Sequence, residues 1–400
     1  MAIAGAAPYQ ADKRAVIALN HPAFLHLEGE SRGTPELIVS SFGVFGGDAV
    51  RRIRNLPGIL KGEKPVIDVI TDKVTWPNEA KRVPLSLGGP DTWLIAGGFL
   101  VPGKTGALTM VKAGGEPRTL TQSDPVSDRK GGWFYHRTYW RDMDGDGQLD
   151  ILTARGKKAM TGGSFGELLW LKRPVQEGAP WQETVIGKGP DVHFRLADLD
   201  QDGKEEILAS EFFTKRFSVW WREGGTWKSR VIDNKCGSAF DLEVADLNGD
   251  GRRDVVLTNH ENNANASVFA YEIPADWRTG LWPRHTLVSG IETRQGGMGP
   301  GSPGAPVVVP GATRDGKALI LVAGDGSQRV HLLSPSSSVK TDWRYQFTDL
   351  DDLKCTVGQL AAADLDGDGL IEVLAPAYDK HQIHVYTLRQ AARRQPAKRS

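Results

Sequence analysis

The chain repeats one acidic turn at four places. DMDGDGQLD begins at Asp142, DLDQDGKEE at Asp198, DLNGDGRRD at Asp246 and DLDGDGLIE at Asp364. Each copy follows an apolar run and precedes a short β-branched one, so each reads as the tight connection of a β-hairpin. The starts are 56 residues apart (142 to 198), then 48 (198 to 246), then 118 (246 to 364). The long interval holds two units, and its hidden copy is VPGATRDGKALILVAGDG, where Asp315 and Gly316 align with Asp250 and Gly251. Upstream, EGESRGTPELIVSSFG from Glu28 and LSLGGPDTWLIAGGF from Leu85 keep the same beat. Self-similarity at a fixed period means that one small unit is stacked or arranged radially.

The unit is four short strands. In the repeat beginning near 191, Val192–Ala197 reads as a strand, then the acidic loop, then Ile207–Ser210, Phe217–Trp221 and Trp227–Ile232. Helical periodicity is nearly absent. Trp181, Trp227 and Trp343 recur near the start of the fourth strand and read as packing between units. The expected fold is all-β: a seven-bladed β-propeller of four-stranded antiparallel blades. It spans residues 1–390 as a single domain, with blades starting near 20, 80, 133, 191, 238, 304 and 356, and a basic tail at 391–400. The last repeat has three strands, Val357–Ala363, Ile371–Pro376 and Gln382–Leu388. Arg14–Leu19 is placed to supply the missing fourth and remove the open edges of the ring.

Composition narrows the function classes. Lys and Arg total 49 and Asp and Glu total 49, so no charge excess favours nucleic acid or an anionic membrane. No run of apolar residues is long enough for a membrane span. The N-terminus MAIAGAAPYQADKR lacks a basic region and a sustained apolar core, which predicts a cytoplasmic protein without a signal peptide. Two cysteines, Cys236 and Cys355, cannot make a disulfide framework. There is no G-x-S-x-G elbow, P-loop, dinucleotide fingerprint or H-E-x-x-H. The Gly-rich run at 296–304 reads as a linker into the sixth blade.

The acidic loops have the chemistry of a Ca²⁺ site. D-x-D-x-D-G-x-x-D/E places carboxylates at positions 1, 3, 5 and 9 around a glycine-permitted turn, which suits a hard cation needing six to eight oxygens. The candidate sets are Asp142, Asp144, Asp146 and Asp150; Asp198, Asp200, Asp202 and Glu206; Asp246, Asn248, Asp250 and Asp254; and Asp364, Asp366, Asp368 and Glu372. The alternative is a tight turn whose Asp side chains bond their own backbone. Every ligand position is filled from the protein, so a metal here is structural. The degenerate loops, one with Arg32 at a ligand position, are expected to bind none.

These repeats resemble FG-GAP/VCBS repeats, the propeller units of integrin α-subunit heads and of several carbohydrate-active lyases. The resemblance runs from about Leu19 to Leu388 and implies the propeller and its Ca²⁺-type loops. GELLWLKRP followed by WQETVIGKGPDVHFRLADLD also resembles the propeller domain of aldos-2-ulose dehydratases. Those enzymes eliminate water from keto-sugars and carry a histidine where His193 stands. A later family segment is richer in histidine than SAFDLEVADL here, and the family's cupin domains are absent.

The loops also serve as a ruler. If each joins strands one and two at one rim, the start of strand one and the end of strand two meet at the opposite rim, beside the central channel. Five residues before each loop stand Arg137, His193, Asp241 and Gln359, and two residues further on Tyr139, Arg195, Glu243 and Ala361. Five residues past position 9 stand, among others, Arg155, Glu211 and Asn259, followed by His260, Asp325 and Tyr378 one place on from that register. Collecting such groups in one register suggests a pocket rather than packed strands. The sharpest expectation is a lyase or dehydratase acting by β-elimination on a sugar-like keto or hydroxyl-rich carbonyl substrate at the channel mouth. His193 is the base, Arg137 or Arg195 holds the enolate and Tyr139 is the acid. Asp241, Glu243 and Glu211 orient these groups or hold a second divalent metal, and His260 contacts substrate. His136, one residue out of phase, is expected to pack between blades. A non-catalytic propeller binding carbohydrate or protein, or a cyclase or isomerase using the same pocket, stays open.

Overall fold

Hydrogen bonding sorts the strands into seven four-stranded antiparallel sheets. The computed structural model describes residues 9–29, 35–100, 103–122, 132–158, 163–176, 178–294 and 301–390. The tail 391–400, Arg32 and residues 296–300 of the Gly-rich linker lie outside the described residues. Blades 1 to 6 span 22–71, 77–119, 134–188, 193–233, 239–289 and 306–352. Blade 7 combines Ala361–Ala363, Ile371–Ala377 and Gln382–Gln390 with the N-terminal strand Tyr9–Ala18, which is its outermost member. That strand pairs antiparallel with Gln382–Gln390 from Tyr9 opposite Gln390 to Ala18 opposite Gln382. The protein is a seven-bladed β-propeller.

The core lies between blades. Side chains alternate across a strand with period two, so a strand sandwiched between two neighbouring blades buries both faces. Glu206–Glu211 is buried at every position. Its Leu208 packs with Leu242 and Val255 of blade 5, while Ile207 and Ala209 pack with Leu152 and Ala154 of blade 3. The other blade boundaries carry equivalent clusters, including Ile17, Leu25 and Leu374 where blade 7 meets blade 1. Trp181 and Trp343 are buried in two of these clusters, and Trp227 packs against the edge of a third. Each fully buried Leu, Ile or Val contributes about 1.5–3 kcal/mol, so cohesion is spread around the ring and the axis is left to polar groups.

All four acidic loops join strand one to strand two, as between Ala197 and Glu206 and between Ala245 and Asp254. The first residue of each loop organises the turn. Asp142 accepts backbone N–H bonds from Gly145 (2.7 Å), Asp146 (3.1 Å) and Gly147 (2.8 Å). Asp246 repeats this with Gly249, Asp250 and Gly251. The ninth residue reaches back to the N–H of position 2: Glu206 to Leu199, Asp254 to Leu247 and Glu372 to Leu365. Position 6 has φ of 80° at Gly147 and 85° at Gly203, a left-handed backbone that favours glycine.

Candidate functional site

The innermost strands are bulged at the mouth opposite the acidic loops. In blade 3, Tyr135 faces Arg155 and Thr138 faces Thr153, so His136 and Arg137 share the space of one residue. In blade 5 the same happens to Phe240 and Asp241. A bulge turns both residues off the ladder and re-aims them. The freed carbonyls find partners on strand two: Thr153 Oγ1 donates to Arg137 O at 2.7 Å and Thr258 Oγ1 to Asp241 O at 3.3 Å. His136 thereby lines the cavity, and the expectation that it packs between blades is corrected.

Below the mouth the channel is closed by a charge network. Arg137 reaches His193 Nδ1 at 3.1 Å, Asp241 at 3.3 Å and Glu79 at 3.6 Å. Arg195 bonds Asp241 at 3.2 Å and Glu243 at 2.5 Å. Lys81 lies 3.4 Å from Glu79. Three cations thus meet three carboxylates, as burial of charge requires. Burial works against the ionised Glu79 carboxyl, but Lys81 and Arg137 hold it below its ordinary range. Burial pushes the Asp241 carboxyl up, while Arg195 and Arg137 pull it back.

His193 and His136 are neutral. Burial, with Arg137, His136 and Arg195 alongside, holds His193 well below the usual imidazole range. Burial and Arg137 bring His136 to about 3. Arginine only donates, so His193 Nδ1 accepts and Nε2 carries the hydrogen. Nε2 is buried without a protein partner, beside a void of about 20 Å³ that His136, Arg137, Glu79 and Gln359 also line. Such a void has room for roughly one water.

Above this floor opens a bowl of about 500 Å³, within the range of small-molecule sites. Its wall is an aromatic belt. Tyr378 meets Phe42 (6.0 Å between centroids), Phe42 stacks on Trp76 (4.4 Å) and Trp76 on Phe99 (5.0 Å). The belt continues through Phe134, Phe213, Phe212 and Phe240. It ends at His260, which stacks on Phe240 at 5.1 Å and places Nε2 3.0 Å from Asp325 Oδ2. Gly301 packs against the His260 ring, where a Cβ would fall 2.3 Å from its atoms. The rim is completed by Asp325 of blade 6, Thr356 in the link to blade 7, and Asp379 in the turn after Ile371–Ala377 of blade 7.

The residues singled out from sequence divide accordingly. Arg137, His193, Arg195, Asp241 and Glu243 converge in one network. Tyr139 lies below it with its hydroxyl 3.4 Å from Phe194 O and Lys81 over its ring, and it lines neither the bowl nor the void. Glu211 sits apart, bonded to Arg216, Thr214 and Ser218. His260 lines the bowl. Sequence reasoning missed Glu79 and Lys81, whose blade has only a degenerate loop, and most of the belt. The channel carboxylates do not suit a second divalent metal, because guanidinium and ammonium nitrogens occupy the positions between them.

At the opposite rim, carboxylate oxygens gather within 4.8 Å of one another in three loops: Asp142, Asp144 and Asp146; Asp198, Asp200 and Glu206; Asp364, Asp366 and Glu372. These donor sets fit a hard cation. Asp150, Asp202 and Asp368 fall outside the groups, and Asp246, Asn248, Asp250 and Asp254 are bound mainly to their own backbone and Arg252. The Lys172 ammonium contacts both Asp144 and Asp146, and Arg278 contacts Asp200 at 2.9 Å. The Asp364 loop has no ion-pair partner among the described residues. No helix among the described residues is long and apolar enough to cross a membrane.

Residues 198–257 match the FG-GAP-like repeat family. They run from the acidic loop of blade 4 into strand two of blade 5. No curated protein matches the chain. Among solved structures, the β-propeller domain of Myceliophteria thermophila Cps50 (Swd1) is similar at 9% identity, with 96% of this chain and 100% of that chain covered and a TM-score of 0.52. The soluble aldose sugar dehydrogenase of Escherichia coli in its apo form matches at 11% identity, 96% and 100% coverage and a TM-score of 0.42. At these identities the first likeness speaks for the fold alone.

Proposed function

We propose that the bowl is the active site of a lyase that eliminates water from a small ring-shaped carbonyl compound, keto-sugars and their derivatives among them. The observation that carries this reading is the pairing of His260 with Asp325 inside the bowl, both ring centroids of His193 and His260 lying within 5.5 Å of Phe240. Asp325 accepts from His260 Nε2, which leaves Nδ1 as the basic nitrogen. His260 removes the proton next to the carbonyl. The carbonyl oxygen, gaining charge, takes a hydrogen bond relayed from His193 Nε2 through the one water for which the void beneath the floor has room, and Arg137 strengthens that donor from behind. The adjacent carbon–oxygen bond breaks, and the leaving hydroxide takes the proton back from His260 as water. Substrate becomes enone plus water. The base is therefore His260 rather than His193, which serves as a donor.

Support for a ring compound comes from the belt, since flat apolar faces stack on ring faces. An isomerase or cyclase step would use the same base and donor. A binding propeller without chemistry is the second reading, favoured by the fact that Arg137, Arg195, Asp241 and Glu243 are already paired with one another. The test is a screen of keto-sugars for new ultraviolet enone absorbance, with and without chelator. Turnover lost in both His260→Ala and His193→Ala supports the elimination reading. Ligand binding with no product in the wild type favours the binding reading.

A further inference from the structure

The polar groups of the bowl are gathered on one side. His260 and Asp325 face each other at 3.0 Å. Asp325 N donates to Val357 O at 3.1 Å, and Thr356 N, one residue back in the chain, donates to Asp379 at 2.8 Å. These contacts tie His260, Asp325, Thr356 and Asp379 into one sector of the rim. Elsewhere the polar groups turn into the protein. Tyr378 donates its hydroxyl to Phe42 O at 2.8 Å. The N–H groups of Phe212 and Phe213 go to Asp191 at 3.0 and 2.8 Å, and that of Gly326 to Gly301 O at 2.9 Å. Apart from His136 at the floor, what remains of the lining is mostly apolar side chain. Phe24, Phe99, Leu100, Phe212, Phe213 and Phe240 face the bowl and are only half-buried, so each keeps apolar surface for a ligand to cover. Covering that surface removes it from water and favours an apolar occupant.

We infer that the ligand of the bowl is an apolar ring ketone whose few polar groups lie along one edge: a fused carbocycle with a hydroxyl β to the carbonyl, rather than a sugar hydroxylated all round. The inference rests on the bowl being the ligand site of the proposed function, and it narrows the substrate of that site. The leaving hydroxyl lies on the edge that meets His260 and Asp325. Asp325 belongs to blade 6, and across the axis from it blades 2 and 4 present Phe99, Phe212 and Phe213 to the hydrocarbon edge. A hydroxyl pointing at that side gives up its water for no partner, which weakens binding about ten- to a hundredfold each time. The bowl, at about 500 Å³, has room for fused rings.

The test is isothermal titration calorimetry on the full chain with two ring ketones. One is 2-decalone, whose fused rings carry no hydroxyl. The other is scyllo-inosose, a cyclohexanone with a hydroxyl on each remaining ring carbon. 2-Decalone should bind at least about tenfold more tightly, with the negative heat-capacity change that marks apolar burial. Phe213→Asn should erase most of that preference, and Phe99→Asn, on another blade, repeats the measurement should Phe213→Asn fold poorly. Equal or tighter binding of the inosose overturns the apolar reading, and so does binding of neither ketone. Elimination is read separately, as enone formed from ring β-hydroxy ketones by the wild type and by His260→Ala. A preference for 2-decalone with no enone from any of them sinks the elimination and leaves the apolar bowl standing. Enone from keto-sugars together with tight inosose binding does the reverse.

Discussion

Arg137 donates into Nδ1 of His193 across the boundary between blades 3 and 4, at 3.1 Å. The same guanidinium holds Asp241 and Glu79, so one side chain ties blades 2, 3, 4 and 5 at the axis. Arg137→Met removes a cation from a buried cluster and should destabilise the protein by about 3–5 kcal/mol, measured by urea denaturation. A loss below about 1 kcal/mol would mean that the network does not brace the ring.

His136 supplies a pH dependence of known sign. Its folded pKa lies at about 3 against an ordinary 6.5. Below the higher value the unfolded chain takes up a proton that the folded chain refuses. The contribution of His136 is thus lost as pH falls from 6.5 toward about 3, at up to about 1.4 kcal/mol per pH unit. Burial lifts the Asp191 carboxyl to about 7, and it acts in the opposite sense, so the comparison must be with a variant. His136→Phe, placed among Phe24 and Phe134, should lose less stability than wild type between neutral and mildly acidic pH. Parallel curves would place the proton elsewhere.

Gly301 sets the face of His260. Gly301→Ala should tilt the imidazole away from Asp325 and lower turnover by about 10²–10⁴-fold, the range for losing a general base. The thermal midpoint should hardly move. Full activity in this variant would remove His260 from the mechanism.

Calcium should raise the midpoint by a few degrees, because a ligand that binds only the folded state stabilises it by mass action. Chelator should reverse the gain. Asp364→Asn combined with Asp366→Asn should remove most of it, whereas Lys172→Met should enlarge it by freeing Asp144 and Asp146. Calorimetric stoichiometry checks each arm. No response in the wild type would leave the loops as hydrogen-bonded turns.

Deleting residues 1–20 strips blade 7 of its outer strand and removes Ile17 and Leu19 from the cluster between blades 7 and 1. The midpoint should fall sharply, as two buried aliphatic side chains alone contribute about 3–6 kcal/mol. An unchanged midpoint would contradict this closure.

The propeller was legible because the Asp loop repeats, and a strand's fixed rise turns a count along the chain into a distance. Counting back from the loops found Arg137, His193 and Asp241, which do meet. The bulges defeated the count at His136 and Phe240, since an extra residue breaks the two-residue alternation and nothing in the local composition announces it. Glu79 was hidden because its own blade has lost the acidic loop. The belt was hidden because its aromatics come from the ends of several strands in different blades, and a Phe reads as core until its neighbours are placed in three dimensions.

The strand Tyr9–Ala18 is the first of the described propeller strands to be synthesised, and its partner Gln382–Gln390 is the last. During synthesis it has no edge to join, and Ile17 and Leu19 wait in water. The ring cannot close around a ligand until Gln382–Gln390 has been made, so a chain that stops before Tyr378 has neither a complete blade 7 nor the Tyr378 and Asp379 side of the bowl.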